Sequence, residues 1–102
     1  MNTFNFQHTD AWIFLCIPKN EPGATKEEIL SSADHINQAI PTDEELNGAL
    51  KRGLDSGLLE SKNDKYFYTP KYGEKINSII EKQKDIFKAW DALEEFLKNF
   101  DI

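Results

Sequence analysis

Apolar and polar positions repeat most regularly between residues 42 and 57. The apolar positions there share one face of a helix, at i, i+3, i+4 and i+8: Leu46, Ala49, Leu50 and Leu54. Thr42 and Glu45 have the spacing of a reciprocal N-terminal cap, and Gly57 is typical of a left-handed helix end. The pattern predicts an amphipathic helix over residues 42–56, with carboxylates on its opposite face.

A hairpin is predicted directly after this helix. Short apolar or aromatic runs over residues 58–62 and 65–69 flank Asn63-Asp64, and both turn residues tolerate the positive backbone angles that a tight turn requires. Alternation along the second run places its two tyrosines on one face and Phe67 on the other. The pattern therefore predicts two antiparallel strands with Phe67 turned outward, either as an exposed contact residue for a partner or covered by the N-terminal arm that carries Phe4 and Phe6.

Two further helices are predicted before this unit. Asp10 is expected to cap a first helix over residues 11–17, which is buried because it is apolar on nearly all sides. Thr25 and Glu28 repeat the capping spacing and begin a second helix, which ends before Pro41.

The chain is helical in pattern from about residue 72 to residue 100. Apolar residues alternate there by steps of three and four, the pattern of helices that pair, and this favours an interface with a second copy over a cover for the chain's own core. The predicted interface residues are Ile79, Ile86, Phe87, Trp90, Leu93, Leu97 and Phe100. An alternative is that Asp85 caps a separate final helix, with a break near Lys84.

The N-terminal residues 1–8 carry Phe4 and Phe6 at alternating positions. This predicts an arm that docks on the body of the protein or on a partner chain. We expect one domain with its arm over residues 1–76, followed by a C-terminal helical dimerisation element over residues 77–102.

Composition changes the functional picture more than the fold. The formal net charge is −6 and the isoelectric point is about 4.8, which argues against the electrostatic footprint of a nucleic-acid-binding domain. A single cysteine, Cys16, fits a reducing cytoplasm. There is no signal-peptide pattern, and the longest apolar run, 11–17, is too short for a membrane span, so a cytoplasmic location is expected.

Candidate chemistry is sparse. The side chains that could ligate a metal do not show the paired spacing of zinc sites: His8, Asp10, Cys16, Asp34 and His35. The sequence contains neither a glycine-rich phosphate loop nor a nucleophile elbow. We therefore expect no metal, no cofactor and no enzymatic activity.

The string DEELNGALKRGLDSGLLE, followed by KYFYTPKYGEKI, resembles the winged helix-turn-helix family of bacterial regulators. The residues that carry the resemblance are Glu45-Leu46, Ala49-Leu50, Leu54, Gly57-Leu58-Leu59, Tyr66, Tyr68-Thr69-Pro70 and Gly73. It covers about residues 9–76, and the long C-terminal helix is similar in placement to the dimerisation helix of PadR-type regulators. The resemblance implies a mainly α fold with a small β-hairpin, a recognition helix at 42–56 and a wing at 58–69.

In relatives that bind DNA, exposed recognition-helix residues contact base edges and basic wing residues contact phosphates. Carried onto this sequence, those residues are Asn47, Lys51 and Arg52 on the helix and Lys62, Asn63 and Lys65 on the wing. Between residues 42 and 69, however, four basic residues stand against six acidic ones, a local net charge of −2. The alternative is a solvated helix face, with Lys51 and Arg52 paired to Asp55 and Glu45, and lysines at the turn that serve solubility.

Two functions follow from these observations. One is a DNA-binding transcriptional regulator, acting as a homodimer on double-stranded DNA. The other is a protein-interaction module that keeps the winged-helix scaffold without binding nucleic acid, and that meets its partner at the acidic helix and Phe67.

Overall fold

The computed structural model describes residues 4–100, which form five helices and one two-stranded antiparallel sheet. In chain order the elements are α1 (His8–Phe14), α2 (Lys26–Asn37), α3 (Asp43–Asp55), β1 (Leu59–Lys62), β2 (Lys65–Tyr68), α4 (Pro70–Glu81) and α5 (Ile86–Lys98). The predicted class, mainly α with a small β-hairpin, is confirmed.

Helix α1 lies at the centre of the core, because it packs against α2, α3 and α5. It begins earlier than predicted: Gln7 is the N-cap, and its backbone N–H donates to the Asp10 carboxylate at 2.9 Å. Asp10 is thus not the cap but lies inside the first turn, where it is fully buried. The predicted range 11–17 is wrong at both ends, since residues 15–17 form a turn and a bend.

Two capping predictions are confirmed. The Thr25 hydroxyl accepts from the backbone N–H of Glu28, whose carboxylate accepts from the backbone N–H of Thr25 at 2.9 Å. Thr42 and Glu45 make the same reciprocal pair. The hydrogen bonds between Thr25 and Glu28, above all the one donated by the Thr25 backbone N–H, lower the pKa of Glu28. Helix α2 ends at Asn37, and the next residue, Gln38, is its C-cap in the left-handed conformation.

The hairpin has the predicted tight turn. Lys62 pairs with Lys65 at the end of the two strands. Between them Asn63 and Asp64 have φ angles of 54° and 62°, the left-handed conformations that close a two-residue hairpin.

The sheet is anchored to the loop before α2 and to α1. Ala24 and Tyr66 exchange backbone hydrogen bonds of 2.9 and 2.8 Å, which add a one-residue bridge beside β2. The Tyr68 hydroxyl donates to the carbonyl of Phe14, and burial raises the pKa of Tyr68 above its ordinary value.

Gly53 lets α3 approach its neighbours closely. A Cβ at this buried position would lie 2.4 Å from Leu59 Cδ1 and 3.3 Å from Phe14 Cζ. Glycine lowers helix propensity by about 1 kcal/mol relative to alanine. At position 53 the lower helix propensity of glycine is accompanied by a close contact of α3 with β1 and α1. A larger residue would obstruct this contact.

The C-terminal region consists of two helices. Helix α4 ends at Glu81, and the Asp85 side chain accepts from the backbone N–H of Lys88 at 2.9 Å as the N-cap of α5. The prediction of one long helix is wrong, and the alternative of a break near Lys84 is confirmed. The expected boundary between residues 76 and 77 falls inside α4.

The described part of the N-terminal arm docks on the chain's own core. The rings of Phe4 and Phe6 each lie 6.1 Å from that of Phe100, and Phe6 meets Phe14 edge-on at 5.9 Å. Residues 1–3 of the arm lie outside the described residues.

Stacked rings join α1 to α5, and we call His8, Trp12 and Trp90 the aromatic joint. Trp12 and Trp90 stack with ring centres 5.6 Å apart, and His8 stacks on Trp90 at 5.1 Å. Both indole N–H groups are satisfied, since Trp12 donates to the carbonyl of Ala33 and Trp90 to that of His8. His8 Nδ1 also lies 2.7 Å from Glu94 Oε1.

The cysteine follows α1 and is half-buried. Cys16 Sγ donates to the carbonyl of Trp12 at 3.4 Å. Burial raises the pKa of the Cys16 thiol to about 12, so the thiol stays protonated at neutral pH.

Candidate functional site

Helix α3 presents two contrasting faces. One is buried against α1 and β1: Leu46, Ala49, Leu50 and Gly53. The other is exposed and mostly polar: Asp43, Glu44, Asn47, Lys51, Leu54 and Asp55. Leu54 was predicted to be buried, but it is 40% exposed, because it lies at the edge of the buried face, one position after Gly53. The predicted amphipathic helix is otherwise confirmed.

Arg52 points inward from α3 and joins this helix to α1. Its Nε lies 2.6 Å from Asp10 Oδ2 and its Nη2 lies 2.8 Å from Asp10 Oδ1. We call this contact the ion-pair joint. Hydrogen bonding to Asp10 raises the pKa of Arg52, which keeps the guanidinium charged. Because these two donors are occupied by a fully buried carboxylate, the contact argues against Arg52 as a DNA-contacting residue.

Lys51 and Asn47 keep exposed positions on α3. Lys51 Nζ lies 2.7 Å from Asp55 Oδ2, one turn along the helix. The predicted pair of Lys51 with Asp55 is therefore confirmed, whereas Arg52 pairs with Asp10 and not with Glu45. An exposed pair of this type contributes about 0.3–0.5 kcal/mol, so Lys51 remains free to exchange partners.

The hairpin turn carries the three residues that were predicted as wing contacts. Lys62 and Asn63 are exposed, and Lys65 is half-buried. Lys62 Nζ lies 3.0 Å from Glu21 Oε1, across a small pocket of about 350 Å³. Both lysines at this turn thus have acidic neighbours, since the charge of Lys65 contributes to the lowered pKa of Glu28.

A polar groove of about 690 Å³ lies beside the first turns of α1 and α3. It is lined by Gln7, Thr9, Thr42, Glu44, Glu45, Gly48 and Arg52. The Arg52 guanidinium crosses Gly48, where a Cβ would lie 3.0 Å from Nη2. The groove therefore combines two carboxylates with one cation that is already bound to Asp10.

The available charge on the α3 surface is negative. Asp43 and Glu44 have no cationic partner within residues 4–100, while Lys51 and Lys62 both have carboxylate partners. This surface would repel the phosphates of DNA and attract basic groups.

Phe67 does not contribute to an exposed surface, contrary to the prediction. Phe67 is buried, and a Cβ atom placed on Gly23 would lie 3.1 Å from Phe67 Cδ1. The loop before α2 covers this face of the hairpin, through the same bridge that joins Ala24 to Tyr66.

Most residues of the predicted dimer seam belong to the core of the single chain. Four of them are buried there: Trp90, Leu93, Leu97 and Phe100. Their apolar character is therefore explained without a second chain. Of the remaining three, Ile79 is half-buried, while Ile86 and Phe87 are exposed, and an interface role for these three stays a prediction.

Sequence patterns did not predict the ion-pair joint. Asp10 was interpreted as a cap because it precedes an apolar run, and Arg52 as part of a solvated face. A carboxylate at the edge of a helix that is apolar all round was the available signal, because such a helix is buried and a buried charge requires a partner.

The sequence matches no protein family, and neither a curated protein nor a solved structure matches it. Within residues 4–100, no helix combines the length and apolar character that crossing a bilayer requires.

Proposed function

We propose that the chain is a winged-helix protein whose α3 surface binds a basic protein partner and does not bind nucleic acid. The order of three helices, a hairpin and a further helix supports the winged-helix assignment. Residues 38–42 join α2 to α3, a short connection compatible with a helix-turn-helix pair. The hairpin follows α3 through Gly57 at φ 80°, in the position of a wing.

The observation that carries the functional proposal is the inward position of Arg52. This residue is the only arginine of the chain, and its guanidinium is held by Asp10. Without it, the exposed face of α3 keeps a single cation, Lys51, beside three carboxylates, those of Asp43, Glu44 and Asp55. Affinity for nucleic acid depends mainly on neutralised phosphates, so this face is poorly suited to it.

A basic partner with some apolar surface fits the same face. The acidic residues supply long-range attraction, which increases the association rate and orients the encounter. Two exposed apolar side chains lie at the ends of the region, Ile40 before α3 and Leu54 in its last turn. An amphipathic segment that carries lysines or arginines would satisfy both features.

Two probes test this proposal directly. The first is a random-sequence DNA duplex in fluorescence anisotropy at low salt, where even non-specific DNA-binding proteins bind measurably. We expect no binding. Binding that weakens steeply with salt would contradict the proposal.

The second probe is an amphipathic lysine-rich helical peptide, with a glutamate-rich peptide of equal length as its control. We expect binding of the lysine-rich peptide alone, and at least about tenfold weaker binding by the Asp43→Lys/Glu44→Lys variant. The matched control is Glu81→Lys/Asp91→Lys, which makes the same charge change on α4 and α5. Equal losses in both variants would mean that only net charge matters, and not the α3 face.

A DNA-binding regulator is the second candidate. The observation that favours it is the exposure of Asn47 and Lys51 on α3 together with Lys62 and Asn63 at the turn. If it is correct, Lys51→Ala and Lys62→Ala should each weaken duplex binding and reduce its salt dependence. Arg52 is unsuitable for this test, because replacing it would disrupt the contact with Asp10.

A further inference from the structure

The α4–α5 hairpin leaves an apolar groove open on the surface. The groove has a volume of about 460 Å³. Its apolar lining consists of Tyr72, Ile79, Ala92, Phe96 and Phe100. All of these except Phe100 keep part of their surface exposed, so residues 4–100 do not close the groove.

Opposite charges flank this groove. Lys75 stands on the α4 side, with Nζ 5.5 Å from the centre of the Phe96 ring. It forms no ion pair within the described range 4–100. Glu95 stands on the α5 side, where its Oε1 accepts from Asn99 Nδ2 at 3.2 Å. The groove thus has a basic side chain on its α4 edge and an acidic side chain on its α5 edge.

We propose that this groove is the interface of a symmetric homodimer, in which α4 of each copy packs against α5 of the other. A two-fold axis that runs along the groove exchanges its two edges. Lys75 of one copy then faces Glu95 of the partner subunit, and the same pair forms a second time by symmetry. The two apolar linings meet between these ion pairs.

A second copy fits this groove better than a partner of uniform charge. An acidic partner would be opposed by Glu95, and a basic partner would be opposed by Lys75. Only a surface with the reverse arrangement satisfies both edges, and the chain itself provides that surface after a two-fold rotation. The groove contains no residue of α3, so this inference is independent of the proposed function.

The size of the hairpin indicates a dimer of low affinity. Helices of 12 and 13 residues are about 18–20 Å long, and two of them side by side present a face about 20 Å wide. Such a face has an area of about 400 Å², about half of the 800 Å² per partner that a standard stable interface buries, which is typical of weak, transient association. We therefore expect association in the micromolar range.

Charge exchange between copies provides the test. Molar mass would be measured for the full chain by sedimentation equilibrium from about 1 to 300 µM, a range that brackets a micromolar dissociation constant. We expect Lys75→Glu and Glu95→Lys each to weaken self-association by at least about tenfold, because each variant brings two like charges together twice. An equimolar mixture of these two variants should associate as the wild type does.

The mixture distinguishes pairing between chains from an effect within one chain. In the mixed dimer each variant supplies the charge that the other lacks, whereas an interaction inside one chain would not be restored by mixing. The matched control is Lys51→Glu/Asp55→Lys, an exposed pair on α3 that should leave self-association unchanged.

A second variant covers the case in which charge reversal disturbs folding. Ala92→Glu introduces a carboxylate into the middle of the groove without removing any core atom, and should give a monomer with an unchanged circular dichroism spectrum. A wild-type chain that is monomeric throughout the range would overturn the proposal. So would single-charge variants, or a folded Ala92→Glu variant, that associate like the wild type.

Discussion

The two sides of α1 are held in place by different kinds of contact. Toward α3, the ion-pair joint brings one fully buried carboxylate, Asp10, against one guanidinium, Arg52. Toward α5, the aromatic joint stacks three rings and satisfies both indole N–H groups with backbone carbonyls.

These two kinds of contact make the domain sensitive to substitution in different ways. Removing one partner of a buried ion pair leaves an uncompensated charge, so a single substitution causes a large loss of stability. Removing part of a ring stack takes away area and dispersion contacts in proportion, so the loss is gradual. The ion-pair joint also uses the arginine that the surface of α3 would need to contact DNA.

The largest expected effect is at the ion-pair joint. Arg52→Ala should lower the free energy of unfolding by about 3–5 kcal/mol, because it leaves the Asp10 carboxylate buried without its cation. Urea denaturation measures this loss. The control is Lys51→Ala, whose exposed pair with Asp55 should be worth about 1 kcal/mol or less. Similar losses for the two variants would mean that the buried pair of Asp10 with Arg52 stabilises the fold no more than an exposed pair does.

The next effect concerns the aromatic joint. Trp90→Phe should lower the free energy of unfolding by about 1–2 kcal/mol, because it removes the hydrogen bond to the carbonyl of His8 and part of the stacked area. The matched control is Lys88→Ala on the exposed side of α5, expected within about 0.5 kcal/mol of the wild type. A loss as large as that of Arg52→Ala would contradict the gradual response.

A smaller effect should follow at the edge of the same joint. His8 is mostly exposed, stacks on Trp90 and contacts Glu94, so His8→Ala should cost about 0.5–1 kcal/mol. A double-mutant cycle with Glu94→Gln separates the contact of His8 with Glu94 from the stacking on Trp90. A coupling energy equal to the whole effect would assign it to the contact with Glu94 and leave the stack without a contribution.

The smallest effect is expected outside both joints, at the exposed N-terminal cap of α2. The pKa of Glu28 is lower in the folded chain than its unfolded value of about 4.3. Its contribution is therefore fully present above that value and is lost as the pH falls through the folded pKa. Glu28→Gln keeps a side chain that can cap but cannot ionise. Stability measured at pH 7 and pH 3 should decline less in this variant than in the wild type.

Local features of the fold could be predicted from the sequence, because their causes lie within a few residues. The caps at Thr25 and Thr42 depend on a residue three positions later, and the hairpin turn depends on Asn63 and Asp64. The cap at Asp85 was visible in the same way, and it explains the break between α4 and α5.

Contacts between distant segments could not be predicted in this way. Asp10 and Arg52 are 42 positions apart, and each has a reasonable local explanation of its own. The three-four spacing of the last helix indicates that an apolar face is covered, but it does not distinguish the chain's own core from a second chain. Phe67 is buried because the loop at Gly23 crosses the hairpin, and alternation along a strand contains no information about that loop.

The half-buried cysteine gives the molecule a built-in reporter. Because the thiol of Cys16 is half-buried at the end of α1 and its raised pKa keeps it protonated at neutral pH, an alkylating reagent should modify it slowly in the native chain and faster once that region opens. The rate of alkylation then measures how often the native chain opens around α1, without any introduced label. Comparing that rate between variants of the two joints would show which contact keeps this region shut.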